Sequence, residues 1–242
     1  MKVIGIIPAR YSSTRFPGKP LVDLKGKLMI QRVYEGASKC NSLDRVIVAT
    51  DDQRIFDAVK AFGGEVEMTS EEHRSGTDRC GEVAAKYNAD VIVNIQGDEP
   101  LVNPGQIDML CTAFKDETVN IATLGYTQVS MEDLDDINRV KVVCDRHGNA
   151  LYFSRNPIPS TQRASEKMVT QFPFMRHIGL YAYRKETLAK LVQLTPCPLE
   201  QMEDLEQLRW MYYGFKIRVI PTSIETPNID TPEDLERVIN EL

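Results

Sequence analysis

The sequence predicts an α/β fold: a mostly parallel, doubly wound, Rossmann-like sheet with an inserted β-rich lobe. Three observations carry that prediction. Short apolar runs alternate with amphipathic stretches, the pattern of strands joined by crossover helices. The stretches between the runs repeat their apolar residues at helical spacing. After about residue 138 the rhythm changes to closely spaced strand-like runs. The first run, KVIGII at 2–7, predicts a strand, as do 44–49 (DRVIVA), 65–68, 90–95 (DVIVNI) and 120–124. Met29, Ile30, Val33 and Ala37 predict one helix, and Ile55, Phe56, Val59 and Phe62 a second. Pro104 opens a third, with Ile107, Leu110, Cys111 and Phe114 on one side. KVVCD, ALYFS and HIGLYAYR form the lobe, about 138–185, with a polar, Pro-containing stretch at 156–176. A helix over 199–213 follows. Thr231-Pro232-Glu233-Asp234 then reads as the cap and first turn of a final helix carrying Leu235, Val238, Ile239 and Leu242.

The 242 residues, 42% hydrophobic and 26% charged, suffice for one main domain with its own core. Lys and Arg number 29 against 35 Asp and Glu, a net charge of −6, so the global field repels polyanions and argues against a nucleic-acid polymer as partner. Only five apolar or Gly residues separate Lys2 from Pro8, fewer than a signal-peptide core needs, and no window approaches the roughly 20 apolar residues of a membrane span. A cytoplasmic protein without membrane insertion is expected. Cys40, Cys80, Cys111, Cys144 and Cys197 are odd in number and lack a CxxC pair; they read as small buried hydrophobes, not a disulfide frame or zinc site.

The first strand runs into Pro8-Ala9-Arg10-Tyr11-Ser12-Ser13-Thr14-Arg15-Phe16-Pro17-Gly18-Lys19-Pro20, three cations with no acid before Asp23. Ligands of α/β sheets bind at the carboxyl ends of strands, so this segment is a candidate triphosphate cradle. It is not a Walker A loop, since Ser13 and Pro20 stand where Gly and Ser/Thr are required, and no GxGxxG is present. Gln96-Gly97-Asp98-Glu99-Pro100 ends the most apolar strand. Asp98 is placed either to hold Mg²⁺ beside substrate phosphates or to form an Asx-turn before Pro100. Asp230 either caps the last helix or, with Thr231 as cap, points elsewhere. His73, His147 and His177 are too scattered to form a metal set by spacing. In the helix expected over 199–213, Glu206 falls at 100° per residue among Leu199, Met202 and Trp210, an apolar sector where a carboxylate needs a partner.

Taken together, IIPARYSSTRFPGKPL, VATDD, SGTDR, VNIQGDEP, ALYFSRNPIP, RHIGLYAYR, LEQLR and IDTPEDLE closely resemble the CMP-Kdo synthetases, the 3-deoxy-manno-octulosonate cytidylyltransferases, over Ile7 to Glu236. Leu28 departs from the family's usual Pro, and 156–176 matches poorly, so no contact is carried over from it. The resemblance implies a nucleotidyltransferase in which the anomeric hydroxyl of Kdo attacks the α-phosphorus of CTP, giving CMP-Kdo for lipopolysaccharide assembly. It implies triphosphate contacts from Arg10 and Lys19, Mg²⁺ on Asp98 and Asp230, and a nucleotide loop at Ser75 near the cytosine, with backbone near Ala9 as a further reader. It also implies a sugar pocket of Gln96, Arg155, His177, Glu206 and Gln207, and a homodimer joined through the lobe. An 8-amino-Kdo or sialic acid cytidylyltransferase is the alternative within the class. A glycosyltransferase using a nucleotide-sugar, or a non-catalytic nucleotide sensor, is the alternative outside it.

Overall fold

The computed structural model describes residues 1–12 and 16–225, in two compact units: Met1–Cys111 with Ala182–Val192, and Thr112–Tyr181 with Gln193–Glu225. Ser13, Thr14 and Arg15 of the cationic segment, Asp230 and the expected final helix lie outside these residues.

In the first unit, β1 (Val3–Ala9), β2 (Arg45–Thr50), β3 (Val66–Met68) and β4 (Val91–Asn94) pair in parallel in the order β3-β2-β1-β4. Their runs are apolar almost throughout because parallel strands are covered on both faces. Ile4, Ile6, Ile7, Ile92 and Val93 are accordingly no more than 1% exposed. β1 continues two residues beyond the expected 2–7, through a proline. Ile6 accepts the Ile95 N–H (2.9 Å), and alternate residues of a parallel strand turn to the same neighbour. Pro8 thus faces the β4 side after the Ile6–Asn94 pair has ended that ladder, where its missing N–H costs no bond.

α1 (Met29–Ala37) buries the expected stripe completely. It begins where expected despite Leu28, which supplies no side-chain cap. α2 (Gln53–Ala61) is capped by Asp52, whose carboxylate accepts the Arg54 N–H at 2.9 Å; it buries Ile55 and Val59, while Phe56 and Phe62 stay half-buried. α3 (Gly76–Lys86) and α4 (Pro104–Thr112) complete the run, with Phe114 buried in the 3₁₀ turn after α4. Right-handed crossovers put α1 and α2 on one face of the sheet. Because the chain reverses its direction across the sheet between β3 and β4, the same rule puts α3 on the other. The switch point of the sheet lies between β1 and β4, where ligands of such folds bind.

The second unit contains β5 (Ile121–Tyr126), α5 (Met131–Asp135), β6 (Lys141–Cys144), β7 (Ala150–Ser154), α6 (Glu166–Gln171) and β8 (Met175–Arg184), the last three residues of which enter the first unit. α7 (Lys185–Leu191) belongs to the first unit, tied by the Lys185 N–H to Asp90 O (3.0 Å). α8 (Pro198–Glu203), α9 (Gln207–Tyr212) and β9 (Arg218–Thr222) return to the second. β9 runs parallel beside β5, and β6 pairs antiparallel with β7 and β8. α6 lies inside the stretch 156–176 and buries none of its residues, so it has no apolar stripe to announce it; only the Ser165 hydroxyl, accepting the Met168 N–H at 3.3 Å, marks its start.

The single helix expected over 199–213 is instead two. Asp204 adopts a left-handed conformation (φ 53°) and ends α8, and α9 begins three residues later. The break turns Leu205 inward (7% exposed) and leaves Met202 outside (86%). The apolar sector inferred around Glu206 therefore does not form at Leu199 and Met202; Trp210 alone of the three is buried. The cysteines are unpaired, four of them buried and Cys144 half-buried, and burial pushes the Cys40 and Cys111 thiols up to about 12.

Candidate active site

The carboxyl ends of β1 and β4 meet at a cavity of about 270 Å³, close to the lower end of small-ligand pockets. Its walls come from Pro8, Ala9 and Arg10 at the end of β1, from Lys19 and Pro20, from the start of α3, and from Gln96, Gly97 and Asp98 after β4. A Cβ on Gly97 would stand 2.8 Å from the Pro8 carbonyl oxygen, so only glycine lets the QGDEP turn run against the end of β1. Gly18, at φ 74°, closes the cationic segment by donating its N–H to Tyr11 O (2.9 Å), with the Tyr11 ring against it and the Arg54 guanidinium stacked 3.3 Å from the ring centroid. This closure aims Lys19 inward. Its ammonium donates to Asp98 Oδ2 at 2.8 Å, with side chains 11% and 35% exposed. Arg10 is exposed at the rim and forms no ion pair among the described residues.

The start of α3 forms the opposite wall. The Ser75 hydroxyl accepts the Asp78 N–H (3.1 Å), and the Asp78 carboxylate accepts the Ser75 N–H (3.3 Å), a reciprocal cap. Ser75 is thus a capping residue through its side chain, and together with Gly76 it lines the cavity. The helix N-terminus favours negative charge. Arg79, Arg74 and His73 line the same wall; the two arginines were not singled out from sequence, and His73 was weighed there only as a metal ligand. Arg79 had a signal: it lies on the side of α3 that buries Thr77, Cys80, Val83 and Ala84, where an unpartnered guanidinium would be costly.

Four further residues expected to bind sugar lie in the second unit. Arg155 donates Nε to Glu203 O (2.7 Å), Nη1 to Ile137 O (3.1 Å) and Nη2 to Asp204 O (3.1 Å), and its Nη2 lies 3.7 Å from the Asp204 carboxylate; two of its five N–H groups make no hydrogen bond among the described residues. The His177 ring sits between Phe153 and Tyr181, with Nε2 3.0 Å from Thr123 Oγ1. Burial pushes its pKa down to about 3, so it is neutral at ordinary pH. Gln207 is buried at the start of α9. Tyr181, not foreseen, joins the group: it packs edge-on against Trp210, and burial, reinforced by the Glu206 charge, raises its phenol well above the usual range. The first unit brings Ala9, Arg10, Lys19, Ser75, Gln96 and Asp98 onto one cavity.

Chemically, the cavity offers an anion a helix N-terminus, an ammonium and two rim guanidinium groups. Among the described residues no cluster of three metal-ligating side chains occurs, and of the cavity's described lining only Asp98 offers a carboxylate, to which ligand oxygens could be added. That donor set suits Mg²⁺, which binds through one or two carboxylates plus substrate phosphates. No helix of the described residues is long and apolar enough to cross a membrane.

Residues 4–217 match the cytidylyltransferase family. The chain is 49% identical over 249 residues to the 3-deoxy-manno-octulosonate cytidylyltransferase of Geobacter metallireducens, covering 100% of this chain and 98% of that one. It is 52% identical over 246 residues to that of Parabacteroides distasonis, covering 99% and 97%. The solved structure of CMP:2-keto-3-deoxy-manno-octonic acid synthetase complexed with CTP superposes with a TM-score of 0.93 at 43% identity, over 100% of this chain and 98% of that one. A Leptospira borgpetersenii cytidylyltransferase, 20% identical with a TM-score of 0.66 over 99% and 85%, shares the fold. From the apolar parallel strands to the cation-rich cavity at their switch point, the architecture agrees with these similarities: the chain belongs to the cytidylyltransferase family, among the 3-deoxy-manno-octulosonate cytidylyltransferases.

Proposed function

We propose that the chain transfers the cytidylyl group of CTP to the anomeric hydroxyl of Kdo, releasing pyrophosphate and giving CMP-Kdo for lipopolysaccharide assembly. One observation carries the assignment of the cavity to the nucleotide. In a chain of net charge −6, its walls present Arg10, Lys19 and Arg74 against a single lining carboxylate, Asp98, while Arg79 behind them is already paired with Asp51. A triphosphate needs that excess more than the diphosphate of a nucleotide-sugar does, which favours this reading over a glycosyltransferase.

In the reaction the sugar oxygen forms a bond to the α-phosphorus, the bond from that phosphorus to the pyrophosphate oxygen breaks, and the hydroxyl proton is released. Phosphoryl-type transfer of this kind is catalysed mainly by positioning and by countering charge on the phosphate oxygens. Lys19 and Arg10 supply cations, and the N-terminus of α3 adds its N–H groups. Asp98 would hold Mg²⁺, joined by Asp230; the ion when bound neutralises phosphate charge and lowers the pKa of a coordinated hydroxyl. The base reads against Ser75 and the backbone near Ala9. Gln96 of the first unit, and Arg155, His177, Glu206 and Gln207 of the second, are the residues assigned to the sugar, and the N–H groups of Arg155 outside its carbonyl bonds suit a sugar carboxylate. The enzyme works in the cytoplasm as a homodimer joined through the lobe at 138–185.

The test is a panel of acidic sugars with CTP, scored for pyrophosphate release. Kdo is expected to be the preferred acceptor. A preference for 8-amino-Kdo or sialic acid would reassign the substrate within the class, and release without sugar dependence would contradict the transfer.

A further inference from the structure

Two side chains of α3, one turn apart, reach back to the segment that precedes the helix. Arg79, 3% exposed, donates Nη1 to Thr69 Oγ1 and to Ser70 O (3.4 Å), and Nη2 to Asp51 Oδ2 (2.6 Å). Glu82 accepts the Ser70 N–H (2.9 Å) and meets His73 Nε2 at 2.6 Å. Thr69 is itself fixed to β2 by its N–H to Thr50 O (2.9 Å). The chain is therefore pinned from Thr69 to His73 immediately before it enters the cavity wall at His73, Arg74, Ser75 and Gly76. The start of α3 does not require this bracket, because Ser75 and Asp78 already cap it. What the bracket fixes is the path of the wall.

A guanidinium holds three divergent acceptors in a rigid fork, which an ammonium cannot do. We infer that Arg79 is a positioning residue for base selection: by locking Thr69 and Ser70 to Asp51, it sets where the wall from His73 to Gly76 meets the nucleobase, and so tunes preference for CTP over UTP. The inference rests on the reading of this cavity as the nucleotide site. Cytosine and uracil differ at the exocyclic group on C4 and in the proton on N3, so a hydrogen-bonding reader separates them only while it is held in place.

The experiment uses the full chain with saturating Kdo and measures kcat and KM for CTP and UTP in Arg79→Lys and Thr69→Val, with Lys19→Met as reference. Arg79→Lys is expected to raise the CTP KM about tenfold with kcat within about twofold, and to lower the CTP to UTP ratio of kcat/KM by about tenfold. Thr69→Val, which removes one acceptor of the fork, should shift both quantities the same way by less. A purely structural role would reduce the active fraction, lowering kcat for both nucleotides alike while KM and the ratio stay at wild-type values; that result overturns the inference. If Arg79→Lys does not fold, the ratio in Thr69→Val decides alone. Loss of turnover in Lys19→Met beside an unchanged ratio in the α3 variants refutes the role of Arg79 only. Wild-type turnover in Lys19→Met refutes the nucleotide site and the inference together.

Discussion

Replacing Lys19 with methionine separates the chemistry of the cavity from its folding. Methionine retains an unbranched apolar stem in a site where the lysine side chain is 11% exposed, and deletes only the ammonium that lies 2.8 Å from Asp98 Oδ2. On the folding side, Asp98 loses its cation, but its side chain is 35% exposed and water resolvates it. The stability cost is then about 1 kcal/mol or less. On the catalytic side, the lost group is a charge-assisted contact to a transferring phosphate, worth about 3 kcal/mol of barrier, or roughly a hundredfold in rate. The asymmetry between these magnitudes is the prediction. Pyrophosphate release at saturating CTP and Kdo is measured beside a urea unfolding curve, and turnover should fall about a hundredfold in a protein that remains folded. Turnover within about threefold of wild type, well short of that barrier, would refute the assignment of Lys19 to the phosphates. So would a loss that merely tracks the folded fraction.

Asp98→Asn and Asp230→Asn should each abolish most activity and raise the Mg²⁺ requirement of what remains, since two carboxylates at one ion share its charge; a wild-type Mg²⁺ titration in Asp230→Asn would leave it as a helix cap, a role in which Asn serves about as well. His177 makes a prediction about pH. Its folded pKa, about 3, lies below its ordinary 6.5, so between these values the unfolded chain takes up a proton that the folded one refuses. Stability from this group is complete above pH 6.5 and declines as pH falls toward 3, by up to about 1.4 kcal/mol per pH unit. His177→Phe should therefore flatten the fall in urea midpoint between about pH 6 and 4, and an unchanged slope would show that His177 is not held neutral.

The strands of the first unit were legible because burial on both faces demands unbroken apolar runs, and Ile4 to Ile7 and Val91 to Val93 supply them. The caps at Asp52 and Ser75 were not read from the sequence, although each binds an N–H only two or three residues away. The division at Asp204 was not, because a non-glycine residue in the left-handed region leaves no mark on the hydrophobic period. Nor was α6, whose stability comes from no buried face. Lys19 and Asp98 stood out individually as a cation and a carboxylate at strand ends, yet their 2.8 Å contact joins positions 79 residues apart and only the switch point of the sheet brings them together. Arg155 shows the converse. Its residue type suits a carboxylate, but most of its donors are taken by backbone carbonyls of Ile137, Glu203 and Asp204, partners distant in sequence.

The claim that the cavity between β1 and β4 is the nucleotide site is tested most directly by a crystal structure of this chain with CTP. The triphosphate should lie against Lys19 and Arg10 with the cytosine at the wall formed by Ser75 and Gly76; a nucleotide bound elsewhere, with Lys19 still closed on Asp98 and no phosphate in reach, would contradict it.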